Sequence, residues 1–243
     1  MSTPQQPRDP TPEAAEPGKG QLVKLLLVFA ALGGAGYVIW QQVKPRDAYK
    51  APSDPSQIVF KDGAQSNVPL GGGDVGKLQF VNAQGMPVAL EQFQGKKNVV
   101  LVVTRGNTSG SPPGAYIGKI CLYCATQTSR LVANYKAFED AGAEVVVVFP
   151  VQRAADSNTV DDFNKAVKRD QAASGPIPFP LVLDVELRAV DQLGIRADLS
   201  KPATYILDKQ GQVRFAYVGA SLADRPSVQS MLDQLVAINA DSR

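Results

Sequence analysis

The 243-residue sequence has no histidine and only two cysteines. Without an imidazole, a Ser-His-Asp triad, a Cys-His protease and any histidine-ligated metal site are excluded, because each uses that ring as base or ligand. Both cysteines, Cys121 and Cys124, fall within KICLYCATQTSRL, residues 119–131. A structural zinc site takes four Cys or His ligands, and a c-type haem needs C-x-x-C-H where this chain has Ala125 after Cys124. With only two soft ligands per chain, a zinc shared between two chains stays open, and neither a metal nor a cofactor is expected. Excess charge is also lacking. The 25 basic and 23 acidic side chains leave a net charge of +2, too small a surplus for a nucleic-acid binder.

Residues 1–20, rich in Pro, Gln and Glu with almost nothing to bury, read as a disordered tail. LVKLLLVFAALGGAGYVIW, residues 22–40, carries one charge, Lys24. A helix of that length rises about 28 Å, close to the thickness of a bilayer's hydrocarbon core. Lys24 suits one boundary and Tyr37 with Trp40 the other, so residues 21–41 are expected to form a single transmembrane anchor in membrane lipid. A cleaved signal peptide fits less well, because the preceding region is long and acidic and no A-x-A-like site follows cleanly. Basic residues flank both ends, so the positive-inside rule does not orient the span; an exported, periplasmic or otherwise extracytoplasmic domain is the expectation. Residues 42–76, polar and rich in Pro, Gly, Asp and Ser, read as a flexible tether. Within it GGGDVGK mimics a phosphate loop, but Leu78 stands where Ser or Thr would hold magnesium and strand-like alternation follows.

Residues 77–243 alternate strands and helices, predicting an α/β sheet covered on both faces. KLQFV and MPVAL around NAQG predict a hairpin. NVVLVVTR and AEVVVVFPV are apolar, β-branched runs expected of doubly buried strands. Helices are expected over 128–141, 160–173, 187–193 and 225–238, and further strands at PLVLDV, ATYILD and VRFAYVG.

The C-x-x-C pair falls after the first buried strand, at the expected start of a helix. Unpaired N–H groups of an opening helical turn stabilise a thiolate, which attacks disulfides or peroxides while a thiol three residues away closes on the product. Arg105, Lys119 and Arg130 are near enough in sequence to add positive potential. A fixed disulfide is the competing reading, but so small a loop restricts the unfolded chain little, which favours a reactive pair.

The ordered segments VVLVVTRG, CLYCATQTSRL, AFEDAGAEVVVVFP, PFPLVLDVELRAVDQLGI, PATYILDKQGQVRFAYVG and DRPSVQSMLDQL resemble the redoxin branch of the thioredoxin superfamily, the AhpC/TSA or peroxiredoxin-like proteins, over 77–238. The resemblance implies a thioredoxin-like fold, a thiol-disulfide oxidoreductase with antioxidant peroxidase activity, and a thiol or disulfide redox partner protein or small oxidant. It implies that Pro202 is the cis-proline facing the cysteines. In a thioredoxin reading Cys121 attacks and Cys124 resolves; were Cys124 peroxidatic, Cys121 would resolve. Two departures stand out. The family's P-x-x-x-T/S-x-x-C fits neither cysteine, and no arginine opens PATYILD to stabilise a peroxide's leaving oxygen, so dithiol exchange is expected ahead of peroxide reduction. Residues 106–118, GNTSGSPPGAYIG, form an insertion beside the cysteines, either a tolerated surface loop or a cap that chooses the partner. The departures also motivate a second expectation, a non-catalytic binding or assembly subunit of a membrane complex.

Overall fold

The computed structural model describes residues 58–70, 74–106, 116–117, 120–169 and 176–241. The expected tail and transmembrane segment, and most of the 106–118 insertion, lie outside them. Among the described residues no helix is long and apolar enough to cross a membrane.

The two apolar runs become the centre of a sheet. Strands β1 (Gln79–Val81) and β2 (Pro87–Ala89) form the expected hairpin, followed by β3 (Asn98–Val103). A short separate hairpin, β4 (Tyr116–Ile117) and β5 (Ile120–Cys121), leads into helix α1 (Leu122–Ala133) and then α2 (Tyr135–Asp140). After β6 (Ala143–Val151) come α3 (Thr159–Arg169), β7 (Leu181–Val185), α4 (Arg188–Gln192), β8 (Ala203–Leu207), β9 (Val213–Val218) and α5 (Val228–Asp241). The seven-stranded sheet runs β2-β1-β7-β6-β3-β8-β9. Pairs β3/β6 and β6/β7 are parallel and the others antiparallel, the mixed sheet of a thioredoxin-like fold.

Every residue of β3 and β6 is buried because both faces of the sheet are covered. Successive side chains of a strand point to opposite faces. Val100, Val102, Val145 and Val147 therefore meet α1, α3 and α5, while Val99, Leu101, Val146 and Val148 pack with Leu187 and Val190 around α4. Where one helix is expected over 128–141, the structure has two, broken at Asn134 (φ −113°, ψ 11°). The first also begins earlier, at Leu122, because the whole C-x-x-C lies at its opening.

The tether expected over 42–76 is corrected for its described part. Ile58, Phe60 and Ala64 are buried in the same core as α1 and α5, so this stretch packs on the domain despite its polar composition. Asn67 pairs by main chain and side chain with Ala216 and Val218 of β9, occupying an edge that would otherwise offer unpaired strand groups. Apolar residues spaced at 58, 60 and 64 bury more than the prolines and glycines around them can disrupt.

Candidate active site

Three chain segments converge on Cys124. The first is the exit of β3. Thr104 prolongs the pairing with β6, its N–H and Oγ1 both donating to the Val148 carbonyl at 2.9 Å. That leaves the next N–H, of Arg105, aimed at Cys124 Sγ at 3.3 Å. Gly106 then turns away at φ +85°, where a Cβ would lie 2.2 Å from the Pro150 carbonyl oxygen, so glycine is required there.

The second segment is the hairpin-to-helix junction. Tyr116 pairs with Cys121 across β4 and β5, and Cys121 is the N-cap of α1 with extended backbone (φ −67°, ψ 116°). Cys124 therefore sits in the first turn of the helix, hydrogen-bonded to Cys121. Both sulfurs are reduced and buried, at 2% and 1% exposure.

The third segment, after β9, brings a residue absent from the sequence expectations. Arg225, 2% exposed, donates from Nε to the Leu222 carbonyl (2.7 Å), from Nη1 to Gln127 Oε1 (2.7 Å) and from Nη2 to Cys124 Sγ (3.2 Å). A buried guanidinium needs a countercharge, and Cys124 is the one ionisable group among these partners. Gln127, one turn beyond Cys124, holds the guanidinium with its oxygen, while its Nε2 is buried with no partner among the described residues.

These contacts divide the two thiols. Hydrogen bonding to Cys124 and then burial push the Cys121 thiol well above its ordinary range. For Cys124 burial is the largest influence and pushes upward. The hydrogen bond from Cys121, the charge of Arg225, the Arg105 N–H and the Arg225 hydrogen bond together outweigh it and bring the thiol down to about 6. The acidic sulfur is thus Cys124, not the Cys121 that a thioredoxin reading makes the attacker. The Cys121 hydrogen bond and the Arg225 guanidinium act on it beside the opening helical turn, where the sequence pointed to Arg105, Lys119 and Arg130 as the added positive charge.

Other expected supports lie elsewhere. Arg105 contributes its main chain, while its guanidinium pairs with Asp198 at 2.7 Å. Arg130 turns to the far side of α1, donating to the Ile58 carbonyl (2.6 Å) with its guanidinium 4.9 Å from the centre of the Phe60 ring. Lys119 lies outside the described residues. The cis-proline expectation is corrected, because the Lys201–Pro202 bond, like every peptide bond among the described residues, is trans. Pro202 opens β8 in the ordinary way, its carbonyl accepting from the Gly219 N–H at 2.8 Å and the Lys201 N–H donating to Ile195 at 2.8 Å, and the lower-energy imide isomer serves that register.

Arg225 lies 101 residues beyond the cysteine it contacts. The only signal in the sequence is the position of Arg225 between Asp224 and Pro226, just before an amphipathic helix. Nothing local marks it as buried.

The domain is similar to solved peroxiredoxins. A cysteine-to-serine mutant of peroxiredoxin 6 from Arenicola marina superposes with a TM-score of 0.56 at 12% identity, covering 71% of this chain and 74% of that one. The mitochondrial 2-Cys peroxiredoxin of Plasmodium falciparum gives 0.51 at 20% identity, covering 68% of this chain and 89% of that one. At those identities the likeness concerns the fold. No curated protein matches the chain. The model of the AhpC/TSA family matches residues 73–216, more than half of the sequence and the whole path from the entry of β1 to within β9, and the chain belongs to that family.

Proposed function

We propose that this protein is a thiol-dependent peroxidase in which Cys124 is the reacting sulfur and Cys121 resolves. The observation that carries the reading is the buried guanidinium of Arg225, 3.2 Å from Cys124 Sγ, with no carboxylate among its hydrogen-bond partners in the described residues. A cation so placed holds the sulfur as thiolate and is positioned to stabilise the oxygen that leaves when a peroxide is cleaved.

The Cys124 thiolate attacks one oxygen of a hydroperoxide. An S–O bond forms, the O–O bond breaks, and the second oxygen leaves as an alcohol or water after taking up a proton. Cys124 is now a sulfenic acid. Cys121, already hydrogen-bonded to it, attacks that sulfur, expelling water and closing the Cys121–Cys124 disulfide. A dithiol or two thiols from a redox partner then return the pair to the reduced state. Burial of both sulfurs favours a small oxidant over a protein disulfide, which would have to bring its own S–S bond to atoms that solvent hardly reaches.

The proposal includes the membrane anchor at 21–41, supported by the length and apolarity of the 22–40 run, with the domain on the extracytoplasmic side. Alkaline extraction of membranes should leave the full chain in the pellet; release into the supernatant would reject the anchor. The chemistry is tested on the detergent-solubilised full chain with hydrogen peroxide, an organic hydroperoxide and a disulfide-bonded protein as oxidants. Peroxides should oxidise the dithiol at least tenfold faster than the protein disulfide, and Cys124→Ser should abolish the reaction. Faster reaction with the protein disulfide, or a fully active Cys124→Ser variant, would overturn the reading.

A further inference from the structure

The stretch Ile58–Ala64 touches both helix α1 and the connection that carries Arg225. On one side Arg130 of α1 donates to the Ile58 carbonyl at 2.6 Å and lies over the Phe60 ring. On the other, the Lys61 N–H donates to the Arg225 carbonyl at 2.8 Å, and the Ser227 N–H returns a bond to the Lys61 carbonyl at 2.9 Å. Lys61 and Pro226 thereby form a parallel bridge, and Asp62 bonds the Ser227 hydroxyl. Lys61 Nζ also reaches the Tyr217 hydroxyl (3.3 Å), itself bonded to Asp224. The backbone of Arg225, which presents its guanidinium to Cys124, is thus clamped by a segment more than 160 positions earlier in the chain.

We propose that Lys61 is a positioning residue, acting through its main chain to hold Arg225 against Cys124, so that the segment entering the domain determines how reactive the dithiol is. Arg225 lies in an irregular connection between β9 and α5, where no helix or ladder fixes its backbone, and the bridge to Lys61 supplies that constraint. If the bridge opens, the guanidinium has no main-chain reason to stay within 3.2 Å of the sulfur. Any pull or displacement of the chain before residue 58 would then be felt at Cys124. Among the described residues, the charged and titratable groups bearing on Cys124 are Arg225 from this connection, the Arg105 segment from the exit of β3, and Cys121 from the N-cap of α1. Of these only Arg225 is tied to Lys61.

The test reads thiolate formation and not turnover. Cys124 alkylation by iodoacetamide is followed against pH on the full chain, with peptide mapping to separate it from Cys121. Lys61→Pro removes the N–H that meets the Arg225 carbonyl. A rise of one pH unit from the parent midpoint of about 6 would lower the Cys124 rate at pH 6 about fivefold. Lys61→Ala keeps the N–H and should stay within twofold of the parent. Should Lys61→Pro fail to fold, the milder Asp62→Ala, on an exposed side chain, decides: a higher midpoint supports the bridge, and an unchanged midpoint overturns it. An unchanged midpoint in folded Lys61→Pro also overturns it. The inference rests on Cys124 being the reacting sulfur, and the two fail differently: a parent with no alkylation below pH 8 rejects that assignment, whereas a normal parent with unresponsive variants rejects only the positioning role.

Discussion

Replacing Arg225 by methionine removes the cation beside Cys124 while keeping an apolar side chain of similar length in its place. The parent thiol stands at about 6 instead of 9, a separation of about 3 pH units, or about 4 kcal/mol in favour of the thiolate. Burial acts against that preference, and it persists in the variant. The hydrogen bond from Cys121 and the Arg105 N–H also persist, so the midpoint should rise by about 1–3 units. At pH 7 a rise of about 2 units lowers the thiolate fraction from about nine-tenths to about one-tenth and the second-order rate with peroxide about tenfold. Loss of leaving-group stabilisation adds a further factor of about 100–1000 at pH values where both proteins are ionised. Stopped-flow measurement of hydrogen peroxide reaction from pH 5 to 10 separates the two effects. The midpoint of the profile reports acidity, and its plateau reports transition-state stabilisation. Arg225→Lys should restore part of the first and less of the second, since a point charge cannot keep both the Gln127 and Cys124 bonds. An Arg225→Met profile that overlays the parent would refute the role given to this residue.

Three further outcomes are expected. The reduced protein should be less stable at low pH for a reason specific to Cys124: its folded-state acidity is raised relative to the unfolded chain, so the associated stability is complete above about pH 9 and disappears as pH falls through about 6. Urea denaturation of the reduced chain should therefore gain about 2 kcal/mol between pH 5.5 and 7.5 relative to Cys124→Ser, and parallel pH curves for the two would contradict this. Cys121→Ser should accumulate a Cys124 sulfenic acid that dimedone captures after one equivalent of peroxide, where the parent yields the internal disulfide; capture at equal yield in both would remove Cys121 from the resolving step. Phe60→Ala should cost about 3–5 kcal/mol in chemical denaturation, because the ring is buried in the core and carries Arg130 above it, and a change below about 1 kcal/mol would mean that the segment before residue 64 contributes little.

The sheet was legible because its central strands announce themselves. NVVLVV and AEVVVVFPV are continuous apolar runs that only a strand covered on both faces can use, and both became fully buried, neighbouring parallel strands. The hairpin around NAQG and the short helix after β7 followed from local signals of the same kind. What could not be read was what the fold brings together over distance. The order of acidity of the two thiols depends on Arg225, which is separated from Cys124 by 101 positions and carries no local mark of burial. Composition also misled at Ile58 and Phe60, where polar and proline-rich neighbours disguise two core residues. Pro202 illustrates the converse: a resemblance suggested a special backbone state, and the hydrogen bonds around it belong to an ordinary strand opening.

The central claim is that the second cysteine of the pair, not the first, is the nucleophile. Limiting iodoacetamide added to the reduced full chain at pH 6.5, followed by acid quench and peptide mass analysis, measures this directly. The account predicts that nearly all of the label is on Cys124, with Cys121 unmodified until Cys124 is blocked. Label mainly on Cys121, or equally slow labelling of both, would contradict it.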